Sequence, residues 1–146
     1  MILAVEPGVV LKWFVEEPLR PQARSLLADG HQLVAPDILI ADVAELARMR
    51  AMAGELSPEQ VEPIVRSVGL PCFISAFVES ARLRDRALAL ALQCDWPVHD
   101  CFYAACAEAA AAPLVVADER FLRLAEGDDA AFRCVPLSRL HELAGA

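Results

Sequence analysis

Short apolar segments alternate with amphipathic helical segments along the whole chain, and this alternation constrains the fold more than any other feature. The apolar segments at residues 2–5, 32–35 and 114–117 are predicted strands, and weaker signals predict strands at 72–75 and 132–135. Helices are predicted at about 21–28, 37–53, 57–69, 79–93 and 98–111, with a short one from residue 119. Such alternation predicts an α/β protein with a central, mainly parallel sheet that is covered by helices on both faces.

Four acidic residues lie where such a fold would gather them. Glu6 directly follows the first predicted strand, and Asp118 directly follows the strand at 114–117. Asp100 lies near the start of an alanine-rich helix, and Asp42 lies within an amphipathic helix. Open α/β sheets bind their ligands at the carboxyl ends of the strands. Because clustered carboxylates repel one another, a divalent cation such as Mg²⁺ or Mn²⁺ is the expected partner.

The size and composition of the chain favour one domain that associates with another chain. At 146 residues, the simplest interpretation is a single domain over residues 1–146. Hydrophobic residues make up 57% of the chain, and the mean hydropathy of +0.41 is high for a soluble monomer. An excess of this kind predicts apolar surface that is covered in a homodimer or by another partner.

Charge and cysteine content narrow the function classes. A net charge of −8 argues against a general nucleic-acid binder, so any RNA contact must come from local cations. Acidic residues interrupt the apolar stretches before they reach the length of a membrane-spanning helix. The five cysteines form no CxxC pair, which predicts reduced thiols in a cytoplasmic protein. The three histidines are scattered singly and do not suggest zinc.

Four short motifs together resemble one protein family. They are VVLKWF at 9–14, APDIL at 35–39, DCFY at 100–103 and ADERF at 117–121. Their order and spacing resemble those of PIN-domain proteins, and in particular of VapC-type toxins from bacterial toxin–antitoxin pairs. The resemblance implies a three-layer α/β/α sandwich, a Mg²⁺- or Mn²⁺-dependent endoribonuclease, a homodimer, and a cognate antitoxin that inserts a segment into the active-site groove.

The resemblance also assigns roles to the four acids. The first aspartate of the family falls on Glu6, its helix glutamate falls on Asp42, and its two later aspartates match Asp100 and Asp118. All four are implied catalytic residues, and Glu6, Asp100 and Asp118 are the implied metal ligands. The first two positions have therefore exchanged glutamate and aspartate. Mg²⁺ requires near-ideal octahedral geometry, so this exchange bears directly on activity.

Three further positions depart from the family pattern. Gly8 and Val116 stand where a small hydroxyl residue is usual, and Glu45 replaces an asparagine. The missing hydroxyl groups would have helped to orient water at a metal site. Glu45 lies three residues after Asp42 on the same helix face, so it is a candidate supporting acid.

Cations near the acids are candidate contacts for RNA or for an antitoxin carboxylate. Lys12, which is the only lysine of the chain, follows Glu6, and Arg120 and Arg123 follow Asp118. We expect His99 to be structural, because neighbouring helix positions point in different directions.

Structural explanations and other functions stay open. Asp118 could simply cap the helix that follows it. Asp100 could lie in the first turn of its helix only because the helix dipole stabilises a carboxylate there. The leading hypothesis is a toxin that cleaves a structured RNA such as transfer or ribosomal RNA. A second is a catalytically weakened PIN module that binds RNA or a protein partner. A third is a metal-dependent phosphatase or a nuclease directed at DNA.

Overall fold

Five parallel strands form one sheet in the computed structural model, which describes residues 1–128 and 130–144. The strand order is β3–β2–β1–β4–β5. In chain order, the strands are β1 (Ile2–Val5), β2 (Gln32–Pro36), β3 (Ala76–Val78), β4 (Leu114–Val116) and β5 (Cys134–Pro136). Helices lie on both faces of this sheet, so the predicted three-layer α/β/α architecture is confirmed.

Within the described residues, seven α-helices and one 3₁₀-helix connect and cover the strands. They are α1 (Pro7–Lys12), α2 (Arg20–Ala28), α3 (Leu39–Met52), α4 (Pro58–Val68), α5 (Ser80–Cys94), α6 (Val98–Ala109), α7 (Phe121–Ala125) and a 3₁₀-helix (Leu137–Leu143). Ser57 caps the start of helix α4, and its N–H donates to Gln60 Oε1 at 2.8 Å. Helix α6 packs against both α5 and the central strands.

The centre of the sheet is buried on both faces. Leu3, Ala4 and Val5 of β1 are all buried, although successive side chains of a strand point to opposite faces. Strand β1 pairs with β2 through Leu3 opposite Leu33, and with β4 through Ala4 opposite Leu114. Burial on both sides is the reason that these strands read as continuous apolar runs in the sequence.

Two elements differ from the sequence prediction. Helix α1 was not predicted, although Pro7 occupies its first turn, where proline is well tolerated. The third strand is β3 at Ala76–Val78, so the prediction at 72–75 was wrong in position. Residues 71–73 form a turn, and the Ser75 N–H pairs with the Leu33 carbonyl at 2.8 Å just before the strand begins.

The structure shows the state of the cysteines and the length of the apolar helices. All five cysteines are free, and burial raises the pKa of Cys101 to about 11 and that of Cys106 to about 12. These two thiols are therefore inert members of the core. Within residues 1–128 and 130–144, no helix is both long enough and apolar enough to span a bilayer.

We predict that Leu90→Ala lowers the free energy of unfolding by about 2–5 kcal/mol, because it leaves a cavity where α5 packs on the core. Urea denaturation followed by circular dichroism measures this change. Gln93→Ala is the control on the same helix, since Gln93 is exposed. We expect the control to change stability by less than about 0.5 kcal/mol. Equal losses for both variants would contradict the position of α5.

Candidate active site

A pocket of about 400 Å³ opens at the carboxyl ends of β1 and β4. This is the switch point of the sheet, because the chain extends from β1 to β2 on one side and reaches β4 on the other. The pocket brings together most of the residues that the sequence analysis singled out: Glu6, Gly8, Lys12, Asp42, Glu45, Asp100, Asp118 and Arg120. Arg123 and Val116 are not among its lining residues.

The Glu6 carboxylate is held by three backbone N–H groups. Glu6 Oε1 accepts from Ala117 at 2.8 Å and from Val9 at 3.1 Å, and Oε2 accepts from Gly8 at 2.8 Å. Glu6 is therefore the N-cap of α1 and also ties that helix to the end of β4. Its side chain is 4% exposed, and burial raises its pKa in spite of the three donors. Three of its roughly four lone pairs are used in this way.

Gly8 leaves the space that the longer Glu6 side chain needs. A Cβ atom at residue 8 would lie 3.0 Å from Glu6 Oε1 and 3.3 Å from the Ala117 Cβ. The glycine is thus favoured by a close approach rather than by its backbone angles. A larger side chain, such as the small hydroxyl residue usual here in the family that the sequence resembles, would be in tight contact with the glutamate, which would have to shift. Glu6 and Gly8 therefore form a matched pair.

The Asp42 carboxylate is buried between two side chains of α6. The Tyr103 hydroxyl donates to Asp42 Oδ2, and His99 Nε2 lies 2.7 Å from Asp42 Oδ1. Burial and the bond to Asp42 raise the pKa of Tyr103, so its hydroxyl stays protonated as the donor. Asp42 therefore connects α3 to α6, and both of its oxygen atoms have partners.

Asp100 is the least constrained of the four acids. Its Oδ2 accepts one hydrogen bond, from Trp96 Nε1 at 3.2 Å. Partial burial raises the pKa of Asp100, and the charge of Asp118 raises it slightly further, so the two carboxylates sense each other. The Trp96 ring is in turn covered by the Arg123 guanidinium, which lies 5.3 Å from the ring centroid.

Asp118 is paired with Arg120. The Arg120 backbone N–H donates to Asp118 Oδ1 at 3.0 Å, while its guanidinium contacts Oδ2 through Nε and through Nη2, each at 2.7 Å. Asp118 thus closes the turn before α7, but it does not cap that helix, because the N-cap residue is Arg120 and no side chain accepts there. Asp118 also lines the pocket.

The other predicted residues of the pocket have their own partners. Glu45 forms a two-point ion pair with Arg48, which lowers the Glu45 pKa. Lys12 lies 3.1 Å from Glu17, a nearly buried carboxylate that also pairs with Arg50 at 3.1 Å. The rim of the pocket beside α1 therefore carries two cations that share one acid.

The donor set suits a hard divalent cation, and two of the four acids are exposed enough to reach one. Mg²⁺ binds oxygen ligands, and one or two carboxylates suffice where water and substrate phosphate complete the coordination. Asp100 and Asp118 are partly exposed, whereas Asp42 is nearly buried, with one oxygen accepting from Tyr103 and the other 2.7 Å from His99 Nε2. In the described part of the chain, no group of three acidic, histidine or cysteine side chains has the geometry to hold a metal.

Comparison with known proteins identifies the family. A family model for the PIN domain matches residues 5–127. The chain belongs to the PIN-domain family. No curated protein matches the chain in sequence.

Solved structures share the fold of this PIN domain at low sequence identity. The structure of VapBC2 from Rickettsia felis, bound to a DNA fragment from the promoter, has a TM-score of 0.66 and 15% identity. The match covers 93% of this chain and 98% of the VapBC2 chain. The structure of FitAcB from Neisseria gonorrhoeae has a TM-score of 0.62 and 16% identity. That match covers 96% of this chain and 100% of the FitAcB chain.

Sequence reasoning missed three side chains of the site in this PIN domain. Tyr103 and Trp96 hold the carboxylates of Asp42 and Asp100, and His99 reaches Asp42 although it was expected to be structural. Residues 99 and 103 are four apart on α6, so they share one face. That spacing was a signal for a joint contact, but the partner on α3 could not be read from it.

We predict that Gly8→Ala destabilises the protein by about 1–3 kcal/mol, because the new Cβ meets the Glu6 carboxylate. In a Glu6→Asp background the shorter acid withdraws, so the added methyl group should cost less. Urea denaturation of the two single variants and the double variant gives the coupling energy, expected to be about 0.5–3 kcal/mol.

Gly69→Ala is the control for this cycle, because an added Cβ there meets only ordinary contacts at 3.6 Å. We expect it to be neutral or to stabilise by up to about 1 kcal/mol. Strict additivity of the Glu6 and Gly8 changes would show that the two residues are not a matched pair.

Proposed function

We propose that this PIN domain is a metal-dependent endoribonuclease that hydrolyses phosphodiester bonds in a structured RNA. The observation that carries the proposal is the placement of Asp100 and Asp118 in one pocket at the sheet switch point. Both carboxylates are partly exposed, and each can be reached from the open pocket. Membership of the PIN family supports nuclease chemistry at this position.

In this proposal Asp100 and Asp118 would hold Mg²⁺ or Mn²⁺, and Glu6 would be a third ligand of the ion through its remaining lone pair. When bound, the cation supplies activation of water and neutralises charge on the phosphodiester. Asp42 fixes His99 and Tyr103 on the pocket wall, and Glu45 adds negative charge at the rim. Trp96 orients the Asp100 carboxylate through its indole N–H.

Cationic side chains near the pocket would offset the repulsion between the negatively charged chain and RNA. Lys12 and Arg120 line the pocket, and Arg123 lies beside it over Trp96. Arginine binds phosphate oxygens at two points, which favours RNA contact in a protein of net negative charge.

We further propose that the chain is the toxin of a toxin–antitoxin pair, acting in the cytoplasm. The fold likeness to VapBC2 and to FitAcB supports a protein partner of the antitoxin kind. An antitoxin segment that carries a basic side chain would fit the acidic pocket, and would compete with RNA there.

A catalytically weakened PIN module that binds RNA or a protein is the second candidate. It is favoured by the hydrogen bonds that already occupy Glu6 and Asp42, and by the lack of a hydroxyl group at Gly8 and Val116. In this case the acids would serve the fold, and the pocket would bind without cleaving.

We expect the purified protein, free of any partner, to cleave a total transfer RNA pool when Mn²⁺ or Mg²⁺ is present and not when it is chelated. Asp100→Asn and Asp118→Asn should each lower the rate by at least about 100-fold. Asp85→Asn is the matched control, because Asp85 is exposed on α5 and outside the pocket. Gel electrophoresis of labelled RNA measures the rates.

The outcomes separate the candidate functions. Cleavage by the parent and by Asp85→Asn alone supports the ribonuclease and both assigned acids. Cleavage of single-stranded DNA in preference to RNA would move the proposal to a DNA-directed enzyme. RNA binding without cleavage by the folded parent would favour the binding module, and equal cleavage by all variants would point to a contaminating nuclease.

We also propose a homodimer, because apolar side chains remain exposed on the helices. Leu88 and Leu92 lie four residues apart on α5, and Met49 and Met52 lie at the end of α3. Light scattering after size exclusion should give close to twice the chain mass of 15.8 kDa. The mass of one chain at micromolar concentration would contradict the dimer.

A further inference from the structure

Arg120 is the cation that lies directly on a proposed metal ligand. Its guanidinium contacts Asp118 Oδ2 through two nitrogen atoms, each at 2.7 Å. The pair is partly solvent-exposed, with 61% of the Arg120 side chain and 38% of the Asp118 side chain accessible. The other pocket cations, Lys12 and Arg50, are instead paired with Glu17.

The field of the whole pocket acts on this guanidinium. The hydrogen bond and charge of Asp118 raise the Arg120 pKa most, and the charges of Asp100 and Glu6 contribute further. Arg120 in turn lowers the pKa of Asp100, against the effect of burial. Arg120 thus acts as the counter-ion of three acids while it touches one of them.

The contact is more than the turn before α7 requires. The backbone N–H of Arg120 already closes this turn through Asp118 Oδ1, whereas the guanidinium lies on the other oxygen, Oδ2. The turn therefore does not depend on the arginine side chain. A cation bound by Asp118 would compete with the guanidinium for Oδ2, and an exposed ion pair resists such competition only weakly.

The displaced guanidinium would remain beside the cation with all its donors available. Its planar fork matches two oxygen atoms of a phosphate group, and its flexible stem lets it turn from Asp118 toward the open pocket. Metal binding would therefore release Arg120, which otherwise neutralises the charge of Asp118, to bind the phosphate of the substrate.

We propose that Arg120 is a phosphate-binding residue that Asp118 holds away from the substrate until a divalent cation takes that carboxylate. The inference rests on the proposed function, because it takes a phosphodiester as the ligand of the pocket. It makes metal and phosphate binding cooperative, since each ligand favours the same position of one side chain.

The first measurement needs no catalytic activity. Mn²⁺ is titrated into the parent protein, Arg120→Ala and Arg50→Ala, and free Mn²⁺ is followed by electron paramagnetic resonance. Arg50→Ala is the local control, because it removes the same charge from a pocket side chain that pairs with Glu17 and Glu55. We expect Arg120→Ala to bind Mn²⁺ about threefold to fivefold more tightly than Arg50→Ala does.

The second measurement tests the coupling with adenosine 5′-monophosphate, a phosphate ligand that cannot be cleaved as a chain. Its affinity is measured by calorimetry with and without saturating Mn²⁺, after subtraction of direct binding of the nucleotide to the ion. We expect Mn²⁺ to tighten nucleotide binding at least fivefold in the parent and in Arg50→Ala, and at most twofold in Arg120→Ala. Circular dichroism establishes that each variant is folded.

The outcomes distinguish this inference from the proposed function. If Mn²⁺ binds the parent and is lost in Asp118→Asn, but the coupling is equal in the parent and in Arg120→Ala, the metal site stands and the role of Arg120 is overturned. Mn²⁺ affinity in Arg120→Ala that is no tighter than in Arg50→Ala also overturns it. If the parent binds no Mn²⁺, the metal site and the role of Arg120 both fail.

Discussion

Three backbone N–H groups that converge on one carboxylate connect the first strand, the first helix and the end of the fourth strand. Glu6 accepts from Gly8 and Val9 at the start of α1, and from Ala117 directly after β4. Because β1 and β4 are neighbours at the switch point of the sheet, this carboxylate lines the pocket between the ends of the two strands. The residue that follows Ala117 is Asp118, so the same contact fixes the backbone position from which Asp118 reaches the pocket. The Glu6 side chain therefore stabilises both the fold and the site.

The exchange of glutamate and aspartate between positions 6 and 42 is accommodated locally at each position. Glu6 is matched by the missing Cβ of Gly8. Asp42, which is one methylene shorter than the glutamate that the family resemblance implies, is met by Tyr103 and His99 from α6. The contacts of each acid account for its size without reference to the other acid. A hypothesis that the two changes compensate each other across a metal ion is therefore not required by the structure, although both residues still line one pocket.

The alternation of strands and helices was enough to predict the class of fold and the sheet edge at which the acids meet. The position of β3 was missed because the turn at residues 71–73 contains apolar residues and reads like a strand. Helix α1 was not predicted, although Pro7 begins it and Glu6 caps it. Contacts between distant helices, such as that of Tyr103 with Asp42, have no local signature. Sequence periodicity places a side chain on a face, and only the packing of α3 against α6 decides what it meets.

The partners of the four acids divide them into two kinds. Glu6 and Asp42 are nearly buried, and moving either would leave buried donors without acceptors, which is costly. Asp100 and Asp118 are held more loosely, by one indole N–H and by a partly exposed ion pair. The acids that depart from the family pattern are the ones fixed by the fold. The exchange at positions 6 and 42 therefore shapes the pocket, and the two aspartates that match the pattern are the less constrained acids in it.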